Sequence, residues 1–243
     1  MTLHDMDEPG GVTPLQRAAA WCVHAYTASG AAAAFAAVLA IFNADYRTAF
    51  LWLVAATVVD ATDGVLARLA RVGERVPSFD GARLDDIVDY VTYVFVPVVL
   101  MYSAALLPQA WGVPVAVMVL LSSAYGFASL DAKSDDHFFT GFPSYWNIVA
   151  VYLVAARLPR AVNAGILVVL SVLVFVRIGY VYPTRTAVLR SATIALGAVW
   201  AAMVVGIILT LPAVPRWLLI GSLYFPVYYS VLSLVLHRRR TRS

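Results

Sequence analysis

The chain is dominated by long apolar runs, and these constrain its fold more than any other feature. Of its 243 residues, 62% are hydrophobic and 13% are charged, whereas soluble domains carry about 25% charged residues. A membrane span needs about 17–25 mainly apolar residues. Eight runs are candidates, although the fifth is short: 19–42, 47–68, 86–107, 113–130, 144–157, 163–180, 191–211 and 214–236. The sequence therefore predicts an all-α, polytopic membrane protein, with kinks at Pro97 and Pro226 inside two of the runs.

The distribution of basic residues predicts the orientation of these spans. Eight spans place both termini on one side, and the connections on that side hold most of the 17 lysine and arginine residues. The positive-inside rule makes this side cytoplasmic. We expect one membrane domain over residues 1–243, with a cytoplasmic segment 1–17 and a basic cytoplasmic tail 237–243. Arg238, Arg239 and Arg240 in that tail predict contact with anionic membrane lipids rather than with nucleic acid.

Four aspartates at the cytoplasmic ends of the second and third runs are the main candidate site. An ionisable residue at the centre of a span costs about 2.5–3.5 kcal/mol, so a cluster of them predicts a function. At 100° per residue, two sets of residues each share a helix face. The sets are Asp60, Asp63, Gly64, Ala67 and Arg68 on the second run, and Gly81, Asp85 and Asp89 on the third. Consecutive spans are antiparallel, so the two faces are expected to meet at one depth.

Four carboxylates at close range repel one another unless cations lie between them. Two divalent ions would balance their charge. The all-oxygen ligand set favours Mg²⁺ or Mn²⁺, and the lack of cysteine and histidine among the ligands argues against zinc. Gly64 and Gly81 allow close approach of the backbone or leave room for a nucleotide, and Arg68 is placed to bind a phosphate. The alternative is a set of solvated or ion-paired aspartates without a bound metal. This alternative does not explain why the two glycines and the arginine share the helix faces of the aspartates.

The spacing of these residues resembles that of the CDP-alcohol phosphotransferases. Their pattern reads D-x2-D-G-x2-A-R, a gap, and then G-x3-D-x3-D, and every fixed position matches between Asp60 and Asp89. The resemblance implies a six-helix core, a homodimer, and a site that is open to the cytoplasmic leaflet. It also implies a CDP-linked lipid donor.

One branch of that family resembles this chain further. The gap of 69–80 is longer than in most members and is similar to that of the bacterial phosphatidylcholine synthase branch, as are the stretches 23–30, 79–85 and 141–147. This branch joins CDP-diacylglycerol to choline and releases CMP. The resemblance thus implies a multi-pass protein of the bacterial inner membrane with its active site facing the cytoplasm.

The resemblance also implies roles for individual residues. Asp60, Asp63 and Asp85 would be metal ligands, and Asp89 would be either a ligand or the general base. Asp89 is the family's usual base, but the spacing does not separate it from Asp85 as the catalytic carboxylate.

The other substrate contacts are predicted less directly. The quaternary ammonium of choline favours an aromatic face, for which the candidates near the cytoplasmic ends are Tyr145, Trp146, Asn147 and Tyr93. Anchoring at the membrane interface explains such aromatic residues equally well. Arg177 and Arg185 are candidates for the phosphate of the lipid donor, or for anchoring at the cytoplasmic face.

Two alternative functions are compatible with parts of the pattern. Another member of the family would use serine, inositol or glycerol phosphate as the acceptor, making phosphatidylserine, phosphatidylinositol or phosphatidylglycerophosphate. A divalent-cation transporter also places paired aspartates in a membrane. The transporter leaves Gly64, Gly81 and Arg68 unexplained.

Overall fold

The computed structural model describes residues 12–129, 138–181 and 189–240, and most of them are helical. The helices, in chain order, are α1 Pro14–Phe42, α2 Tyr46–Leu69, α3 Val72–Arg75, α4 Gly81–Asp89, a π-helical segment Tyr90–Phe95, α5 Val96–Ser103, α6 Gly112–Ala128, α7 Trp146–Ala156, α8 Arg160–Leu173, α9 Arg190–Thr210, α10 Arg216–Ser222 and α11 Tyr224–Arg240.

Within the described residues, four helical stretches are long and apolar enough to cross a membrane, as judged by length and composition. They are Pro14–Phe42, Tyr46–Leu69, Arg190–Thr210 and Arg216–Arg238. Gly112–Ala128, Trp146–Ala156 and Arg160–Leu173 are shorter apolar helices. The prediction of a helical membrane protein is confirmed at this level.

A short two-stranded sheet accompanies the predicted helices. β1, Phe138–Thr140, pairs antiparallel with β2, Gly179–Val181. The predicted run 163–180 therefore ends as a helix at Leu173. The reason is competition for carbonyl groups, because the Phe142 amide donates to Leu173 and the Gly141 amide donates to Ile178.

α1 and α2 begin with local capping interactions and pack along each other. Thr13 and Gln16 form a reciprocal capping box at the start of α1, and the Asp45 side chain accepts the Thr48 amide at the start of α2. Such caps satisfy amides that have no partner within the helix. The buried face of α1 consists largely of small residues, among them Gly30, Ala33, Ala34, Ala37 and Ala40, which allows neighbouring helices to approach closely.

Two prolines interrupt their helices where kinks were predicted. Pro97 cannot donate to the carbonyl of Tyr93, and the helix widens just before it, so that the Val96 amide bonds to Val91, five residues back. Pro226 leaves the Ser222 carbonyl without its helical donor, and α10 ends at Ser222. The Tyr152 hydroxyl donates to that carbonyl across the helix interface, at 3.3 Å.

The segment between α2 and α4 is partly folded. It contains α3, whose first residue Val72 is buried together with Val76, which follows the helix, and Ala20 of α1. The segment that joins the two halves of the motif therefore packs against the first part of α1. This anchoring fixes where α4 begins relative to α2.

Candidate metal centre

Three aspartates converge between α2 and α4. Asp60, Asp85 and Asp89 each place a carboxylate oxygen within 4.8 Å of the other two, and all three side chains are half-buried. Asp85 and Asp89 are one helical turn apart and share a face of α4, while Asp60 faces them from α2. The meeting of the two predicted faces is therefore present for these three residues.

The chemistry of this group favours a hard divalent cation. Three negative charges at such short range repel one another strongly in a half-buried site, where water screens them poorly. Carboxylate oxygens are the ligands that Mg²⁺ and Mn²⁺ take in proteins. The donor set and its geometry fit such an ion.

Asp63, the fourth predicted ligand, is not part of the group of three aspartates found among the described residues. Its side chain is buried, with 7% exposure, and it accepts a hydrogen bond of 2.8 Å from the Thr27 hydroxyl of α1. The neighbouring pair, Tyr26 and Thr62, is joined by a second hydroxyl contact of 2.8 Å. α1 thus fixes the face of α2 that carries the motif, and metal binding by Asp63 stays a prediction.

Thr27 is a site residue that the motif alone does not identify. The sequence signal for it is a polar residue on the Ala-rich, buried face of α1, one turn beyond His24. A hydroxyl on such a face needs a partner. In this structure the partner is the buried carboxylate of Asp63.

Close contacts between α1 and α4 set the position of Asp85 and Asp89. A Cβ atom at Gly30 would lie 2.6 Å from Cγ1 of Val88, and Val88 stands between the two aspartates on α4. A Cβ atom at Gly81 would lie 2.8 Å from Cε1 of His24. The missing side chain of Gly81 therefore accommodates the His24 ring, and the nucleotide contact predicted for Gly81 stays a prediction.

The His24 ring is a packing element at the start of α4. It is 5% exposed, and its centroid lies 4.4 Å from that of Phe79 and 5.6 Å from that of Trp21. These aromatic contacts hold the beginning of α4 against α1.

Gly64 differs from Gly81 because the space where its side chain would stand is largely free of protein atoms. Among the described residues, a Cβ atom there would meet only Nη1 of Arg68, at an ordinary contact distance of 3.5 Å. The exposed Arg68 side chain therefore lies beside Gly64 on the motif face. This arrangement suits the predicted nucleotide and phosphate contacts. Ala67, by contrast, packs against the buried cluster of Ala20, Val72 and Val76.

The residues predicted to contact choline divide into two groups. The Tyr93 hydroxyl donates to Oδ2 of Asp60 at 2.7 Å, and its ring lies 6.2 Å from that of Tyr145, at 57°. Asn147 Nδ2 lies 3.5 Å from the Thr57 hydroxyl of α2. These three residues thus lie around Asp60 and the helix turn that precedes it.

Trp146 belongs to the core. Its exposed fraction is 0%, its Nε1 donates to the Ser123 hydroxyl at 2.7 Å, and its ring packs edge-on against Phe142. The ring is enclosed by protein in this position, and the predicted choline contact of Trp146 stays a prediction.

Of the two predicted lipid-phosphate residues, Arg177 lies within the described part of the chain. Arg177 is exposed in the turn between α8 and β2. Arg185 lies outside the described residues. Both assignments stay predictions.

Comparison with known proteins gives several relatives with one shared name. No family model matches the chain. The chain is 40% identical to the phosphatidylcholine synthase of Pseudomonas aeruginosa over 189 residues, which cover 78% of this chain and 79% of the relative. It is 45% identical to the phosphatidylcholine synthase of Legionella pneumophila over 169 residues, 69% of this chain and 66% of the relative. It is 34% identical to the phosphatidylcholine synthase of Rhizobium johnstonii over 223 residues, 92% of each chain.

Proposed function

This chain belongs to the bacterial phosphatidylcholine synthase family, and we propose that it transfers the phosphatidyl group of CDP-diacylglycerol to choline, with release of CMP. The observation that carries this proposal is the convergence of Asp60, Asp85 and Asp89 within 4.8 Å. The names of the relatives support the choice of donor and acceptor.

Asp60, Asp85 and Asp89 would hold Mg²⁺ or Mn²⁺, and two ions with Asp63 as a further ligand would complete the charge balance. Such a metal, when bound, stabilises negative charge on a leaving phosphate. Gly64 and Arg68 would bind the nucleotide and its phosphates. This assignment is supported by the open space before Gly64 and by the guanidinium that lies beside it.

The acceptor must lose a proton as it reacts. The choline oxygen forms a bond to the phosphorus on the diacylglycerol side, and the bond from that phosphorus to the bridging oxygen breaks, so that CMP leaves with the bonding electrons. Asp89 would take the hydroxyl proton as general base. Asp85 lies one turn away in the same carboxylate group and is the alternative base.

The proposed arrangement in the membrane extends beyond the four spans identified by length and composition. We propose eight spans around a six-helix core, a homodimer, and an inner-membrane location with both termini and the site in the cytoplasm. The shorter apolar helices α6, α7 and α8 would supply further crossings. Tyr145 would line the choline site, and Arg177 and Arg185 would contact lipid phosphate.

The function is tested by supplying membranes that contain the full chain with CDP-diacylglycerol and Mn²⁺. Labelled choline and labelled serine are given in parallel. We expect label in lipid from choline only, whereas incorporation from serine only would refute the choline assignment.

A pair of matched variants tests the carboxylate group in the same assay. Asp60→Asn is expected to abolish turnover. Asp86→Asn serves as the control, because it also removes one carboxylate charge, at a residue of α4 that lies outside the group of three aspartates. Full turnover by Asp60→Asn would refute the proposed metal centre.

A further inference from the structure

A tyrosine hydroxyl contacts one of the three converging aspartates directly. Tyr93 donates to Oδ2 of Asp60 at 2.7 Å, the length expected for a hydroxyl that bonds to an ionised carboxylate. This bond joins the π-helical segment to α2. It therefore restricts the orientation of a ligand-bearing side chain from a second helix.

The backbone places this hydroxyl in line with the other two aspartates. Tyr93 follows Asp89 by four residues, as Asp89 follows Asp85, so the face that carries two aspartates continues to the residue that holds the third. Tyr93 lies within the widened segment Tyr90–Phe95, and such widened turns are frequent at functional sites.

Residues of α7 and its start lie beside this contact. The Tyr145 ring lies 6.2 Å from the Tyr93 ring. Asn147 contacts Thr57, which precedes Asp60 by about one turn of α2. α7 thus contacts both the π-helical segment and α2 next to the bond between Tyr93 and Asp60.

We infer that Tyr93 is a positioning residue, which fixes the Asp60 carboxylate toward Asp85 and Asp89 before a divalent cation binds. The inference rests on the metal centre of the proposed function and changes the role of Tyr93 from choline contact to support of a ligand. A partner that orients a metal ligand typically contributes about 10–100-fold in metal affinity.

The test measures Mn²⁺ binding to the purified full chain in detergent, from the electron paramagnetic resonance signal of free Mn²⁺. Tyr93→Phe keeps the ring and removes only the hydroxyl, and we expect it to weaken Mn²⁺ binding by about tenfold or more. Tyr90→Phe is the matched control. It lies in the same segment, and its hydroxyl donates to the Leu120 carbonyl of α6 at 3.0 Å, so Mn²⁺ affinity should not change.

A second measurement separates this effect from a folding defect. The midpoint of thermal unfolding is followed as Mn²⁺ is added, and Tyr93→Phe should need about tenfold more Mn²⁺ for half of the stabilisation. Equal Mn²⁺ dependence in Tyr93→Phe and the unchanged protein would overturn the inference.

The KM for choline distinguishes the two possible roles of Tyr93. A ring that contacts the quaternary ammonium tolerates Phe, whereas a hydroxyl that contacts choline raises the KM when it is removed. A raised choline KM with unchanged Mn²⁺ affinity would overturn the inference.

The inference and the proposed function fail in different ways. Absence of Mn²⁺ binding in the unchanged protein would refute the metal centre and the inference together. Mn²⁺ binding that depends on Tyr93, without choline transfer, would support the inference and refute the proposed acceptor.

Discussion

Replacement of Gly30 by alanine should displace α4, and with it two of the three aspartates. The new Cβ atom would lie 2.6 Å from Cγ1 of Val88, whereas carbon atoms prefer about 3.5–4.0 Å. α1 and α4 must therefore separate by about 1 Å at this point. Asp85 and Asp89 flank Val88 on α4, so this movement changes their approach to Asp60.

The energetic cost follows from the close packing of this interface. Overpacking of a well-packed interior costs about 1–3 kcal/mol, but alanine also gains about 1 kcal/mol over glycine in a helix. Gly165→Ala in α8 isolates the second effect, because a Cβ atom there meets no atom of the described residues within 4 Å. The difference between the two variants should therefore be about 1–3 kcal/mol. For a chain of this size that difference corresponds to about 2–12 °C in the unfolding midpoint.

The assay combines thermal unfolding in detergent with the choline transfer rate. Gly30→Ala should unfold at a lower temperature than Gly165→Ala and should transfer choline more slowly. Adding Val88→Ala to Gly30→Ala removes the clashing methyl group and should restore part of both losses. Equal midpoints and equal rates for Gly30→Ala and Gly165→Ala would refute the proposed role of the α1–α4 contact.

Substitutions at three further positions test how the motif face is held. Thr27→Val removes the hydroxyl that donates to the buried Asp63 and should lower the free energy of unfolding by about 1.5–3 kcal/mol. Thr27→Ser keeps a hydroxyl and should retain most of that free energy. Equal unfolding midpoints for the two variants would argue against this bond. Gly64→Ala should lower turnover without lowering the unfolding midpoint, because its Cβ atom would make an ordinary contact with Arg68. Gly81→Ala should lower the unfolding midpoint, because its Cβ atom would clash with Cε1 of the His24 ring at 2.8 Å. Equal effects of the two alanines on stability would contradict the distinct roles assigned to the glycines.

Part of the site was predictable because helical spacing is a local property. Asp60 on α2, and Asp85 and Asp89 on α4, occupy faces that follow from 100° per residue alone. The interruptions of the helices near Pro97 and Pro226 were predictable for the same reason, since a missing N–H acts on the carbonyl one turn back.

Other contacts of the predicted site residues were not readable from the sequence, because they depend on which helices become neighbours. Trp146 was predicted near choline because it follows the polar loop 131–143 and belongs to a stretch that resembles the branch; that pattern does not show that α6 supplies Ser123 as its partner. Gly81 was predicted to allow close approach of the backbone or room for a nucleotide, and only the fold shows that α1 places the His24 ring against it.

The sequence by itself determined that this chain is a membrane protein, that its motif carboxylates lie on helix faces, and that it belongs to this family. Composition, period and spacing are local quantities and need no knowledge of the packing. Only the tertiary structure decided that three aspartates converge while Asp63 bonds to Thr27, and that Tyr93 holds Asp60. These contacts join residues from different helices, so their distances depend on how closely Gly30 and its neighbours let those helices approach.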